Sequence, residues 1–152
     1  LIIVGGGDED YVLYIKNKIR HLGLQAHISL PGRIGDHDLL RKYYMEAGIF
    51  VFPSHHEGFP RVIYEAMTFG LPIVATDIDA YNGTMINLNN CILAPIQNPP
   101  ALADSILMLI KSEELRITLS KNSSKFMREY FIKIGSKTHA SQFIKYAKFI
   151  QA

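Results

Sequence analysis

Three short apolar runs constrain this chain most: Leu1–Val4, Ile49–Phe52 and Ile73–Ala75, each rich in β-branched or aromatic residues and none alternating with polar ones. A strand wetted on one face alternates, whereas a strand covered on both faces reads as unbroken apolar sequence. Such strands belong to parallel sheets with helices packed over them. His27–Leu30 and Cys91–Ala94 are weaker strand candidates.

Helical spacing fills the intervals. Val12, Ile15, Ile19 and Leu22 share one face, with Gly23 as the stop, and Leu39, Leu40, Tyr43 and Tyr44 mark a shorter helix ending near Gly48. Arg61–Phe69 is apolar almost all round and should be buried, with Gly70 closing it. Leu102, Ile106, Leu109 and Ile110 form a further helix entered through Pro99 and Pro100. Ser112 can cap the next, where Glu113 and Glu114 complement its dipole, and Ala140, Phe143, Ile144 and Ala147 pattern a last one. Strand–helix alternation through short loops predicts an α/β fold with a doubly wound, Rossmann-like parallel sheet. With no internal repeat, linker or low-complexity stretch, residues 1–152 read as one domain.

Composition narrows the class. At 48% hydrophobic and 20% charged residues the chain is globular rather than disordered. Cys91 is the single cysteine, so no internal disulfide forms and a reducing, cytoplasmic setting is expected. No apolar run approaches the roughly 18 residues of a membrane span, and no signal peptide is seen. The first residue, Leu1, already sits in a strand-like run, which reads as a piece cut from something longer. The net charge of +2 is unevenly spread, at −4 over residues 1–110 and +6 over residues 111–152. Dispersed cations of this kind read as a solvated helical face, or else as a surface for an anionic membrane or acceptor.

In a doubly wound sheet, ligands bind beyond the carboxyl ends of the strands. The informative segments are therefore Gly5-Gly6-Gly7, Pro31-Gly32-Arg33, Pro53–Pro60 and Thr76-Asp77-Ile78-Asp79. The third is richest, because Glu57 and Gly58 precede a helix that Pro60 opens and that carries Glu65. Unpaired amides and the dipole of a first helical turn suit a phosphate. Glu65 lies about 7.5 Å along the axis from Pro60, at roughly 1.5 Å per residue. A carboxylate there can accept from ribose hydroxyls, while Glu57, outside the helix, flanks the other side of the phosphate. Two carboxylates around an anion site suit a hydroxyl-rich, doubly phosphorylated ligand and suit nucleic acid poorly.

The segment Phe52-Pro53-Ser54-x-x-Glu57-Gly58-Phe59-Pro60-x-x-x-x-Glu65-Ala66-Met67-x-x-Gly70-x-Pro72-Ile73-Val74-Ala75-Thr76-Asp77 resembles the E-x7-E region of family 4 retaining glycosyltransferases of GT-B fold. Leu1–Gly7, Gly32-Arg33-Ile34 and Leu93-Ala94-Pro95 resemble further parts of that family's C-terminal, donor-binding domain. The resemblance implies a nucleotide-diphosphate sugar donor, retaining transfer of a hexose-like sugar to a glycan or lipid-linked acceptor, and a role in polysaccharide biosynthesis. Glu57 would position the donor sugar and Glu65 would hold the ribose. Backbone around Gly58, Phe59, Val62 and Ile63 would meet sugar and diphosphate, and Arg33 and Ile34 would line the base. The family's upstream Arg/Lys clamp and acceptor-binding N-terminal domain would lie before Leu1, so this chain alone is expected to lack turnover. After Asp77 the family often reads Gly-Gly with a later glutamate, where this chain has Asp79-Ala80-Tyr81-Asn82-Gly83-Thr84. A cytoplasmic protein, peripheral at the inner membrane face in one reading, follows from the same resemblance.

Other patterns are weaker. Asp77-Ile78-Asp79 and Asp36-His37-Asp38 look like the D-x-D metal motif of GT-A enzymes, yet the GT-B resemblance implies neither metal nor other cofactor. His55-His56-Glu57 reads as exposed loop rather than zinc ligands, since adjacent histidines reach one tetrahedral centre poorly. Gly5-Gly6-Gly7 lacks the later glycine of a dinucleotide fingerprint, because position 10 is Asp10, so a tight turn is expected. Cys91 reads as a small buried hydrophobe. Two alternatives to transfer stand beside it: another GT-B reaction on a nucleotide sugar, by an epimerase or hydrolase, and a non-catalytic nucleotide-binding module.

Overall fold

In the computed structural model, strands and helices alternate as the apolar runs predict, and the structure describes residues 1–81 and 83–134. The helix expected over Ala140–Ala147, and with it Lys137, Lys145 and Lys148, lies outside the described residues. The chain divides into two compact units, residues 1–43 and residues 44 onward, where the sequence reads as one domain. All strand pairs are parallel, but they form a two-stranded and a three-stranded sheet.

In the first unit β1 (Ile2–Val4) pairs with β2 (Ser29–Gly32), and Gly5 N donates to Gly32 O at 3.0 Å just past the strand ends. The second strand runs two residues later than its apolar residues suggest. Pro31 lacks a donor, but β2 has β1 as its only ladder partner among the described residues, so the missing N–H is tolerated. Helix α1 (Glu9–His21) begins at Asp8, whose carboxylate accepts from Asp10 N at 3.0 Å. Acidic residues in its first turn and basic ones in its last complement the dipole. No residue between 1 and 43 is buried.

Helix α2 (His37–Glu46) ends in the second unit, where the order is β3 (Phe50–Phe52), α3 (Arg61–Thr68), β4 (Ile73–Thr76), β5 (Ile92–Ala94), α4 (Pro99–Lys111) and α5 (Glu113–Ile134). Strand β4 is central, with Val74 opposite both Val51 and Ile92. All four of its residues are buried, which is why this run shows no alternation. Val74, Ile92, Leu109 and Leu119 form the core, with Ile49, Leu102, Ile106 and Leu115 packed around it. Full burial of each such side chain stabilises by about 1.5–3 kcal/mol.

The caps follow the sequence signals. Asn98 accepts from Ala101 N ahead of α4, and Ser112 Oγ from Leu115 N ahead of α5. Arg116, read as part of a basic face, instead donates to the carbonyls of Leu109 and Ile110 at the end of α4. Gly70 closes α3 at φ +68, and a Cβ there would lie 3.1 Å from Ser124 Oγ. Both the backbone sign and the helix approach therefore require glycine.

Leu88 occupies the same left-handed region (φ 59) in the turn before β5, with its side chain exposed. A branched side chain there costs about 1–2 kcal/mol, partly offset in a glycine by its freer unfolded chain. Leu88→Gly is therefore expected to raise stability by about 0.5–1 kcal/mol. A urea midpoint that fell instead would contradict this strain.

Candidate functional site

In the second unit the carboxyl ends of β3 and β4 meet. Thr76, the last residue of β4, donates its hydroxyl proton to the Ser54 carbonyl just after β3. On the other side Asp77 N donates to Ala94 O of β5 at 2.8 Å. The 53–60 loop is thus fastened to the central strand rather than draped over it.

Ser54 then reaches the functional candidate itself. Its hydroxyl donates to Glu57 Oε1 at 2.8 Å, with the His56 carbonyl at 3.1 Å as the competing acceptor. Glu57 is half-buried, while Gly58 and Phe59 are exposed. The Phe59 ring stacks on Tyr64 (4.9 Å between centroids), which stacks on Tyr130 (5.7 Å). The turn into α3 is therefore held by an aromatic row as well as by its backbone.

Pro60 is the cap of α3 rather than its first helical residue. Arg61 N donates to Phe59 O at 2.9 Å and Ile63 N to Pro60 O at 3.0 Å, so two amides expected to be open are already engaged. The amides of Gly58, Phe59 and Val62 have no backbone acceptor among the described residues. Ile63 itself is 1% exposed and belongs to the core, whereas Val62 is half-buried.

Glu65 is half-buried in the middle of α3, and Tyr44 Oη donates to its Oε2 at 2.9 Å. Each carboxylate of the pair thus receives a hydroxyl, Glu57 from Ser54 and Glu65 from Tyr44. Neither donor was singled out in the sequence; the Ser-x-x-Glu spacing was the available signal for one and a tyrosine on an apolar helix face for the other.

Tyr81, in the segment where the chain departs from the family pattern, lies nearby. Its ring is buried, and its hydroxyl has no hydrogen bond among the described residues. Burial, then the Cys91 thiol, push its pKa up to about 12; the Thr76 hydroxyl acts in the opposite direction, and Asp77 and Glu57 add to the rise. Cys91 is fully buried, as expected, and burial followed by Asp77 lifts its thiol to about 12. Both groups stay neutral beside the two acids.

Arg33 and Ile34 follow β2 in the first unit, exposed and half-buried respectively, and the backbone of Gly6 comes close to Arg33. The structure brings Glu57, Gly58, Phe59, Val62 and Glu65 together around one helix start in the second unit; Arg33 and Ile34 lie on the other unit. Of the D-x-D segments, Asp36 is a helix cap, accepting from Asp38 N and Leu39 N. Asp79 begins a single turn of 3-10 helix. His55 and His56 are exposed. Among the described residues no three His, Cys, Asp or Glu side chains cluster, and no helix is long and apolar enough to cross a membrane.

The fold is that of the GT-B glycosyltransferases. Sucrose-phosphate synthase from Thermosynechococcus elongatus superposes with a TM-score of 0.79 at 28% identity, over 99% of this chain and 38% of that one. Anabaena HepE in complex with UDP-glucose gives 0.79 at 25% identity, over 95% and 39%. The description "Glycosyl transferases group 1" matches residues 1–126, and the chain belongs to that family. The N,N'-diacetylbacillosaminyl-diphospho-undecaprenol alpha-1,3-N-acetylgalactosaminyltransferase of Campylobacter jejuni is 34% identical over 85% of this chain and 32% of its own length. The chain spans 30% to 36% of the length of such curated relatives.

Proposed function

We propose that this chain binds the nucleotide-diphosphate sugar donor of a retaining glycosyltransferase that acts on a glycan or lipid-linked acceptor. The observation that carries the reading is the pair of hydroxyl-anchored carboxylates, Glu57 and Glu65, on either side of one helix start. Glu57 positions the donor sugar through its hydroxyls. The amides of Gly58, Phe59 and Val62, with the α3 dipole, receive the diphosphate. Glu65 accepts from the ribose. Ile63 supports this turn from the core.

Chemically, the bond from the anomeric carbon to the diphosphate breaks as the acceptor oxygen bonds to the same face. The acceptor proton passes to the departing diphosphate oxygen, and the amides stabilise the charge developing there. Glu57 is not a glycosidase nucleophile in this scheme, since the leaving group is already a stable anion. The reading calls for no metal or other cofactor and for a cytoplasmic protein. The UDP-glucose complex of HepE makes UDP the first nucleotide to test, and the Campylobacter enzyme's name makes a lipid-linked acceptor the first to try.

The test is calorimetric titration of the intact protein with UDP, GDP and ADP. One of them is expected to bind selectively, and Glu65→Ala to weaken it by about 1–3 kcal/mol, the loss of hydrogen bonds to a charged acceptor. Unchanged affinity in a folded variant would remove the ribose role.

A further inference from the structure

The contact between Tyr44 and Glu65 spans 21 positions of sequence and joins α2 to the middle of α3. Tyr44 is 8% exposed. Its ring lies parallel to Phe69 (5.1 Å, 4°) and tilted against Phe50 (5.9 Å, 31°). Phe69 ends α3 and Phe50 begins β3, so turning the Tyr44 ring would unpack the junction of helix and strand. A phenol so fixed holds its oxygen in one place, 2.9 Å from Glu65 Oε2.

A free glutamate has three torsions to settle before it can accept from a ligand, and ordering such a side chain costs affinity. Here the order exists before any ligand arrives. One carboxylate oxygen carries the Tyr44 bond, while Oε1 has no hydrogen bond from the protein among the described residues.

We propose that Tyr44 is a positioning residue for nucleotide binding: it holds Glu65 by Oε2 and so presents Oε1 as the principal acceptor for a ribose hydroxyl. The inference rests on the ribose role proposed above for Glu65. It adds an asymmetry to that role. Oε2 already accepts the Tyr44 hydroxyl, so a ribose hydroxyl that meets Oε1 is bound more strongly than one that meets Oε2. Tyr44 thereby widens the discrimination between 2′-deoxy and 3′-deoxy nucleotides.

The experiment is a double-mutant cycle in the intact protein, with UDP, GDP and ADP as probes and the deoxy forms of whichever binds. Tyr44→Phe keeps the stacked ring and removes only the hydroxyl. It is expected to weaken binding about three- to tenfold, the order of one side chain's ordering cost. In a Glu65→Ala background the same change should do nothing further, and the gap between the two deoxy nucleotides should narrow in Tyr44→Phe alone. Equal weakening with and without Glu65 would mean that Tyr44 acts through packing, and would overturn the proposal. So would wild-type affinity in Tyr44→Phe beside a weakened Glu65→Ala. If Glu65→Ala itself bound normally, the ribose role would fall and this inference with it, a result distinct from the other two.

Discussion

Replacing Glu57 by alanine in the intact protein is expected to cut the transfer rate by about 10²- to 10³-fold, the scale at which lost positioning or a lost transition-state contact shows itself. The expectation comes from how the carboxylate is held. Strand β4 is buried along its length, Thr76 at its end bonds the Ser54 carbonyl, and Ser54 Oγ donates to Glu57. A side chain tied to the central strand through two links belongs to the rigid part of the molecule, and rigid placement is what positioning needs. Nucleotide binding should change little, because Glu65 and the amides of the α3 turn are untouched. Steady-state rates with donor and acceptor, alongside nucleotide titration, separate the two effects. A folded Glu57→Ala protein that turned over within about twofold of the parent would leave Glu57 no part in placing the sugar.

The second large effect is on stability. Leu109→Ala should cost about 2–5 kcal/mol, the usual range when a leucine is truncated in a core that cannot collapse around the void. Leu109 has no exposed surface and packs with Val74, Ile92 and Leu119. Its neighbours Leu107 and Ile110 on the same helix are exposed, so their alanine variants should stay within about 0.5 kcal/mol of the parent. Urea unfolding of the three variants tests the contrast. Similar losses at all three would mean that the outer face of α4 is covered.

Much of the fold was readable because its signals are local. Unbroken apolar runs located β1, β3 and β4, and Ser112 with Glu113 and Glu114 announced the start of α5. Strand β2 is displaced from the expected His27–Leu30 because the apolar run ends at Leu30, whereas the ladder continues through Pro31 to Gly32. At the candidate site, the spacing of Glu57 and Glu65 was legible, but the hydroxyls that hold them were not. Tyr44 reaches Glu65 across 21 positions, and nothing in helical periodicity says where a phenol's tip will land. The engaged amides of Arg61 and Ile63 were hidden too, because they depend on Pro60 acting as a cap.

The pairing of β4 has a consequence for folding fidelity. With Phe52 and Ala94 as lateral neighbours of its last two residues, Thr76 and then Asp77 leave the strand in a fixed order. A slip of one position would turn every β4 side chain to the opposite face and carry Asp77 to the buried place of Thr76. A carboxylate would then face the Ser54 carbonyl, acceptor against acceptor, at a buried position of the strand. The misregistered chain would lose its hold on Glu57 in the same step that buried an unpaired charge. Pairing of the sheet and placement of the 53–60 loop therefore share one checkpoint: a molecule that passes it has that loop already tethered, and one that fails is selected against by its own electrostatics.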